Sequence, residues 1–269
     1  MMLRIISAAV LLPLTLLVVI YASPIFLMTA IGLVGTVCLY EYFRLIRTMG
    51  IQAQPWLSYC AFWILIVGFR YGKLPSAILL ALALLALFLS ALWRPGQMAR
   101  ERILALMTEV LGISYFTLFL YPAIPLRFDF GNETGLHWTM IFLFVIWAED
   151  AAALIIGKTF GKNQLAPILS PNKTKEGAVG GLLAGLCIAL AAQHSLFTDL
   201  PLHHVIIAST LIGIFGQLGD LAESMLKRAA GVKDSSRIIP GHGGVLDRLD
   251  SMLFALPVLY LYLLQLYGR

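Results

Sequence analysis

The sequence predicts an all-α, polytopic membrane protein with about nine transmembrane helices. Of its 269 residues, 60% are hydrophobic and 12% are charged, whereas a soluble domain usually carries about 25% charged residues. The mean hydropathy is +0.88, and apolar runs of about 20 residues, long enough to cross a bilayer as helices, recur along the chain. Backbone polar groups in a bilayer need partners within their own segment, which favours helices, and the period-two alternation of a membrane barrel is absent.

Nine apolar stretches follow one another along the chain, and most are bounded by proline or by charged loops. Proline disturbs a helix least at its end, and six prolines lie at such ends: Pro24, Pro55, Pro75, Pro95, Pro122 and Pro201. The predicted spans are 4–21, 24–46, 56–71, 75–93, 103–121, 136–157, 176–195, 203–226 and 251–267.

The first span resembles a secretory signal peptide, because a single arginine precedes an apolar run that ends near Ala22. Ile20 stands where a cleavage site would carry a small residue. We therefore interpret this segment as a retained first helix.

The placement of lysine and arginine predicts the orientation. With nine spans and the N-terminus inside, 15 of the 19 basic residues fall on the cytoplasmic side and 4 fall outside. This bias favours a cytoplasmic N-terminus, an external C-terminus and a multi-pass protein of the cell inner (plasma) membrane. Basic cytoplasmic loops also explain the pI of about 9.2, so we expect no nucleic-acid partner.

The sixth span carries two carboxylates, Glu149 and Asp150, about two turns before its cytoplasmic end. A carboxylate at this depth costs a few kcal/mol unless it is paired, hydrated or bound to a metal ion. A salt bridge to a neighbouring helix is the structural alternative. Asp150 is the stronger candidate for a functional group.

The loop before the seventh span is cationic and rich in hydroxyl groups. Ser170, Asn172, Lys173, Thr174 and Lys175 are suited to bind phosphate oxygens through charge and hydrogen bonds. An ordinary positively charged cytoplasmic loop would look the same, so both interpretations stay open.

The seventh span itself has a glycine at every fourth position, at Gly177, Gly181 and Gly185. Such a stripe of small residues allows two helix backbones to approach closely. It predicts helix packing rather than a binding site.

The eighth span ends with Asp220, Glu223 and Lys227 near one helix face, one turn after Gln217. An intrahelical pair would account for Glu223 and Lys227. Such a pair would not explain Asp220, which lies further inside the predicted membrane span.

The stretch 227–250 concentrates charge in an otherwise apolar chain, and glycines flank His242. Gly241, Gly243 and Gly244 allow backbone N–H groups to point at an anion. His242 is either a structural hydrogen-bonding residue or a catalytic group.

Asp247 and Asp250 lie at the start of the ninth span, where acidic groups interact favourably with the helix dipole. Capping alone would explain Asp250. Asp247 together with Asp220 and Asp150 would instead form an oxygen-ligand cluster suited to Mg²⁺. A metal ion, cations and a glycine-rich loop are typical of phosphoryl or nucleotidyl transfer.

The segment "SMLKRAAGVKDSSRIIPGHGGVLDRLD", residues 224–250, resembles the signature of the phosphatidate cytidylyltransferases (CDP-diacylglycerol synthases). The matching positions are Ser224, Lys227, Arg228, Lys233, Asp234, Pro240, His242, Gly243, Gly244, Asp247, Arg248 and Asp250. The upstream "GKTFGK" and "SPNKTKEG" resemble a second block of that family. In that block the family usually has a tyrosine a few residues after the aspartate, whereas this chain has Leu154 near that position.

This resemblance implies that CTP and phosphatidate are converted to CDP-diacylglycerol and pyrophosphate by a nucleotidyltransferase that depends on one or two Mg²⁺ ions. It also implies a homodimer in the lipid bilayer. Residues 1–135 would form a scaffold with dimer contacts, and residues 136–269 would carry the catalytic loops.

The predicted site residues fall into three groups. The catalytic group is Asp220, Asp247, Lys227, Arg228 and His242, and the metal ligands are Asp220, Asp247 and Asp150. The substrate-binding group is Ser170, Asn172, Lys173, Thr174, Lys175, Lys233, Asp234, Gly243, Gly244 and Arg248.

Three other functions are weighed against this one. A cation-coupled transporter would use Asp150 and Asp220 as intramembrane ligands, but it gives the glycine-histidine loop no role. A CDP-alcohol phosphotransferase would need a D-G-x-x-A-R helix, which the sequence lacks. A polyprenyl-phosphate sugar transferase would consume a different nucleotide.

Overall fold

The structure is a computed structural model and describes residues 2–239, 241 and 243–268, with side chains from residue 9 onward. Within these residues the chain forms ten α-helices and one two-stranded hairpin. The helices are α1 (Met2–Tyr21), α2 (Pro24–Thr48), α3 (Pro55–Tyr71), α4 (Ser76–Leu92), α5 (Ala99–Leu120), α6 (Ala123–Phe128), α7 (Asn132–Phe160), α8 (Lys175–Ser195), α9 (Leu202–Ala229) and α10 (Leu246–Tyr267). The strands are β1 (Gln164–Ala166) and β2 (Ser170–Thr174), paired antiparallel.

Each of the nine predicted spans falls on a helix, which confirms the all-α class. Six segments of the described chain are long and apolar enough to cross a membrane. They are Pro24–Thr48, Ala99–Phe128, Asn132–Phe160, Lys175–Ser195, Leu202–Ala229 and Leu246–Tyr267. The total of nine spans and the orientation of the termini stay predictions.

The hairpin and the short helix α6 were not predicted. The strands have only three and five residues, too few for a periodic pattern to stand out from a polar loop. Helix α6 begins directly after Pro122, which suits the first turn of a helix.

The chain divides into two compact units. The first comprises residues 1–14, 22–121 and 226–248, and the second comprises residues 15–21, 122–225 and 249–269. The units are defined by packing, and the functional division between residues 135 and 136 stays a prediction.

Close backbone packing of α7 against α8 organises the second unit. Gly177, Gly181 and Gly185 are buried on α8. A Cβ atom at Gly177 would lie 2.7 Å from the Ala153 carbonyl oxygen of α7, and one at Gly181 would lie 3.0 Å from the Glu149 carbonyl oxygen. The glycine stripe is therefore a helix-packing surface within this chain, which confirms the prediction from its spacing.

We predict that Gly177→Val lowers the stability of the protein by about 1–3 kcal/mol, because the new side chain must push the α7 backbone away. Val179, two residues further on, is 58% exposed, so Val179→Leu is a matched enlargement that meets no such obstacle. The measurement is the thermal unfolding midpoint in detergent. Equal midpoints for the two variants would contradict the packing role.

Candidate active site

A carboxylate cluster lies in the second unit, where Asp220 and Glu223 of α9 meet Asp250 of α10. One oxygen from each of the three side chains lies within 4.8 Å of the others. Asp220 and Glu223 are one turn apart on the same helix face, and Glu223 is fully buried. Three carboxylates at this separation can hold a metal ion, and oxygen-rich sites suit hard cations such as Mg²⁺.

A glycine makes this cluster possible. A Cβ atom at Gly219 would overlap the carbonyl oxygen of Asp250. The missing side chain lets α10 approach α9 at this point and places Asp250 beside Asp220. The position of Asp250 at the start of α10 suggests a helix cap, and its place among these carboxylates was not predicted from the sequence.

Lys173 forms an ion pair with Asp220, so the cationic loop reaches the cluster. The loop is fixed at its base: Thr174 caps α8 by accepting a hydrogen bond from the Gly177 amide at 3.1 Å. The Lys175 amide donates to the Asn163 carbonyl oxygen at 2.8 Å. These two contacts fix the end of β2 to the start of α8 and to Asn163. Lys173, the residue before Thr174, is thereby directed toward the cluster.

The other predicted residues of this loop are less enclosed. Asn172 and Lys175 are exposed, and Ser170 is half-buried. The structure therefore leaves these polar groups accessible to a substrate. Leu154, at the position where the resemblance raised the question of a tyrosine, is 58% exposed.

Glu149 and Asp150 have different surroundings although they are neighbours. Glu149 is buried, and the Gln217 side-chain amide donates to it at 2.6 Å and to the Ala178 carbonyl oxygen at 2.9 Å. Asp150 is exposed, and the Ser251 hydroxyl lies 3.4 Å from its Oδ1. A neutral amide from another helix thus donates to one oxygen of the buried carboxylate.

Asp247 lies in the first unit and is almost fully buried, at 7% exposure. Its Oδ1 accepts a hydrogen bond from the Lys227 ammonium at 2.7 Å. Its Oδ2 accepts bonds from the Ser235 amide at 2.9 Å, the Ser235 hydroxyl at 2.9 Å and the Gly244 amide at 2.8 Å. Among the described residues Oδ1 has one donor, so this oxygen retains a lone pair that suits a cation.

The glycine turn before Asp247 has the conformation that its sequence predicts. Gly241 and Gly243 have φ angles of +79° and +85°, which side-chain-bearing residues rarely adopt. A Cβ atom at Gly243 would lie 2.7 Å from Asp247 Oδ2. In this structure the Gly244 amide donates to Asp247, and a role of this turn in binding an anion stays a prediction.

The remaining charged residues of the stretch 227–250 point to the surface. Arg228 is exposed and donates to the Val232 carbonyl oxygen at 3.2 Å. Lys233, Asp234 and Arg248 are exposed. His242 lies outside the described residues, so its predicted catalytic role stays a prediction.

Glu41 of α2 is a further buried carboxylate in the first unit, and it is not among the site residues predicted from the sequence. It is fully buried, and hydrogen bonds connect it to Ser235 and Ser236 and to the backbone at Val245 and Leu246. An acidic residue within an apolar helix is the same signal that singled out Glu149. The signal was therefore present in the sequence.

The family profile and similar curated proteins both indicate a cytidylyltransferase. The sequence profile of the cytidylyltransferase family matches residues 2–266. A phosphatidate cytidylyltransferase from Staphylococcus saprophyticus is 44% identical over 154 residues, which cover 56% of this chain and 59% of that protein. One from Staphylococcus haemolyticus is 42% identical over 147 residues, covering 54% and 56%, and one from Staphylococcus aureus is 42% identical over 153 residues, covering 56% and 59%. The matched region thus spans somewhat more than half of these curated relatives.

We predict that Lys227→Met destabilises the protein by about 3–5 kcal/mol, because it leaves the buried Asp247 carboxylate without its cation. Lys233→Met removes the same charge from an exposed position and is expected to change stability by less than about 0.5 kcal/mol. The measurement is the thermal unfolding midpoint without substrate. A Lys227 variant as stable as the Lys233 variant would show that the buried pair does not stabilise the fold.

Proposed function

The chain belongs to the cytidylyltransferase family, and from that premise we propose that it is a phosphatidate cytidylyltransferase. It transfers CMP from CTP to phosphatidate and releases CDP-diacylglycerol and pyrophosphate in phospholipid biosynthesis. The observation that carries the proposal is the buried Lys227–Asp247 pair, because both residues belong to the signature in 224–250. The relatives named phosphatidate cytidylyltransferase support the same activity.

The chemistry needs no covalent intermediate with the protein. A phosphate oxygen of phosphatidate, already anionic near neutral pH, attacks the α-phosphorus of CTP. A new P–O bond forms there, and the bond from the α-phosphorus to the α,β-bridging oxygen breaks, so the electron pair leaves with pyrophosphate. The main obstacle is the repulsion between two polyanions, which positive charge in the site must offset.

The carboxylates are the groups that would hold the cofactor. We propose Asp220, Asp247 and Asp150 as ligands for one or two Mg²⁺ ions, and the carboxylate cluster adds Glu223 and Asp250 as candidates. When bound, Mg²⁺ supplies charge that screens phosphate oxygens and stabilises a leaving pyrophosphate.

The basic residues would bind the phosphates directly. Lys173 and Lys227 already pair with carboxylates, and each ammonium can turn to a phosphate oxygen when substrate enters. The other proposed contacts come from the two loops: Ser170, Asn172, Thr174, Lys175, Arg228, Lys233, Asp234, His242, Gly243, Gly244 and Arg248.

We also propose that nine helices span the cell inner membrane, with the N-terminus and the active site on the cytoplasmic side and the C-terminus outside. CTP would then arrive from the cytoplasm while the lipid enters from the bilayer. The proposed homodimer rests on the family resemblance, since the glycine stripe is used within one chain.

The activity is tested with purified protein, phosphatidate and a panel of labelled nucleoside triphosphates. We expect label from CTP alone to enter lipid, and we expect EDTA to stop the reaction. Asp220→Asn and Asp247→Asn should each lower the rate by at least about 100-fold, because each loses a charge proposed to act on the phosphates.

Asp199→Asn is the matched control, because Asp199 is half-exposed and pairs with His137, and both residues lie outside the two loops in the sequence. It should retain the wild-type rate. Incorporation from another nucleotide, or wild-type rates in both site variants, would contradict the proposal.

The orientation is tested by single-cysteine labelling after Cys38, Cys60 and Cys187 are replaced by serine. An impermeant maleimide added to spheroplasts should label Lys73→Cys, which lies on the proposed outer side. Arg100→Cys should react only after the membrane is permeabilised. Both positions are exposed, so the reversed labelling pattern would invert the proposed topology.

A further inference from the structure

We propose that Glu41 is a positioning residue for the reaction: it holds residues 235–236 and 245–246 so that Asp247 faces Lys227 in a fixed orientation. The inference rests on the proposed function. Glu41 lies on α2, almost 200 residues before the segment that it holds, and outside both sequence blocks that resemble the family.

The Glu41 carboxylate is fully buried and lies within hydrogen-bond distance of four donor groups of described residues. Its Oε1 accepts from the Ser236 hydroxyl at 2.5 Å and from the Val245 amide at 3.0 Å. Its Oε2 accepts from the Ser235 hydroxyl at 3.1 Å and from the Leu246 amide at 2.7 Å. Both carboxylate oxygens are therefore engaged by the same short segment.

Two of these donors are backbone amides at the start of α10. The first amides of a helix have no partner within the helix and favour a negative charge. Glu41 supplies that charge from another helix, much as a capping residue would. It thereby fixes where α10 begins, and the residue that follows Leu246 is Asp247.

Ser235 joins Glu41 to Asp247. Its hydroxyl lies 3.1 Å from Glu41 Oε2 and 2.9 Å from Asp247 Oδ2, and its amide donates to Asp247 Oδ2 at 2.9 Å. A hydroxyl carries one proton, so Ser235 donates it to one carboxylate at a time and lies within reach of both. Moving the Glu41 carboxylate therefore changes the position of Ser235, whose amide also donates to Asp247.

Gly244 provides an independent observation. A Cβ atom there would lie 2.6 Å from both Glu41 carboxylate oxygens and would overlap the Ser235 hydroxyl. The glycine leaves room for Glu41, while its own amide donates to Asp247 at 2.8 Å. Position 244 of the signature thus requires glycine because Glu41 occupies the space of a side chain, while the backbone amide of the same residue binds Asp247.

A carboxylate is required because four donors converge on this one side chain. A glutamine has a single acceptor oxygen, and its amide group would face donors instead of accepting from them. An aspartate is one methylene shorter and cannot reach the same four donors from the α2 backbone. Glu41→Gln therefore removes the negative charge and keeps the side-chain length, whereas Glu41→Asp keeps the charge and shortens the side chain.

The test uses the full-length protein in lipid nanodiscs and compares wild type with Glu41→Gln. We expect the Mg²⁺ concentration for half-maximal CMP transfer to rise by about 10- to 100-fold, as for other residues that orient a metal ligand. We also expect faster hydrogen exchange at the Ser235 and Gly244 amides, which bind Asp247 and make no bond to Glu41. The exchange measurement does not depend on activity.

Glu109→Gln is the matched control. Glu109 is also fully buried in the first unit, but it accepts from the Arg94 guanidinium at 2.5 Å and from the Gln54 backbone amide at 2.6 Å. Among the described residues it forms no hydrogen bond to residues 235–236 or 245–246. It should lower the unfolding midpoint, while the Mg²⁺ requirement of the folded protein and the exchange at Ser235 and Gly244 stay as in wild type.

The outcomes separate the two claims. If wild-type protein transfers no CMP, the proposed function fails, and the exchange data still decide whether Glu41 holds Asp247. If wild type is active and Glu41→Gln matches it in Mg²⁺ requirement and in exchange, the positioning role is overturned. If Glu41→Gln does not fold, Ser236→Ala carries the test, because the Ser236 hydroxyl donates to Glu41 and not to Asp247 among the described residues. A raised Mg²⁺ requirement supports the role, and a wild-type requirement overturns it.

Discussion

Each buried carboxylate of this apolar chain needs a partner, and the arrangement of its polar groups follows from that constraint. An ionised group costs several kcal/mol in such surroundings unless a cation or hydrogen-bond donors compensate it. Asp247 is held by Lys227 and two backbone amides, Glu41 is held by the Ser236 hydroxyl and two helix amides, and the Ser235 hydroxyl lies within reach of both carboxylates. Glu149 is held by the neutral amide of Gln217. Because these partners come from distant parts of the sequence, satisfying the carboxylates also fixes the loops that carry the chemistry.

Glycine provides the close approaches that this arrangement requires. Gly219 brings the Asp250 backbone against α9, and Gly244 lets Glu41 reach the start of α10. Gly177 allows α7 and α8 to pack at backbone distance. These three glycines lie in or beside the sequence blocks that resemble the family. Backbone contact and ligand chemistry are therefore coupled, because a side chain at any of these positions would displace a polar group as well as a helix.

Composition and hydropathy sufficed to predict the helices, since a bilayer-spanning segment must be long, apolar and internally hydrogen-bonded. The role of Gly177 followed from its spacing alone. Long-range pairing did not follow: nothing local in the sequence connects Glu41 to Ser235, and Asp250 was considered as a cap although it lies beside Asp220 and Glu223. Local patterns identify which groups are costly to bury. They do not identify which distant donor satisfies them.

The central claim is that buried hydrogen bonds to Oδ2 hold the Asp247 side chain so that Oδ1 faces Lys227 and the proposed site of Mg²⁺ and the nucleotide phosphates. An experimental structure with Mg²⁺ and a nonhydrolysable CTP analogue tests it most directly. We expect the nucleotide phosphates beside Lys227 and Asp247, with Oδ2 still accepting from Ser235 and Gly244. Phosphates bound elsewhere, or an Asp247 side chain turned away from Ser235 in the nucleotide complex, would contradict it.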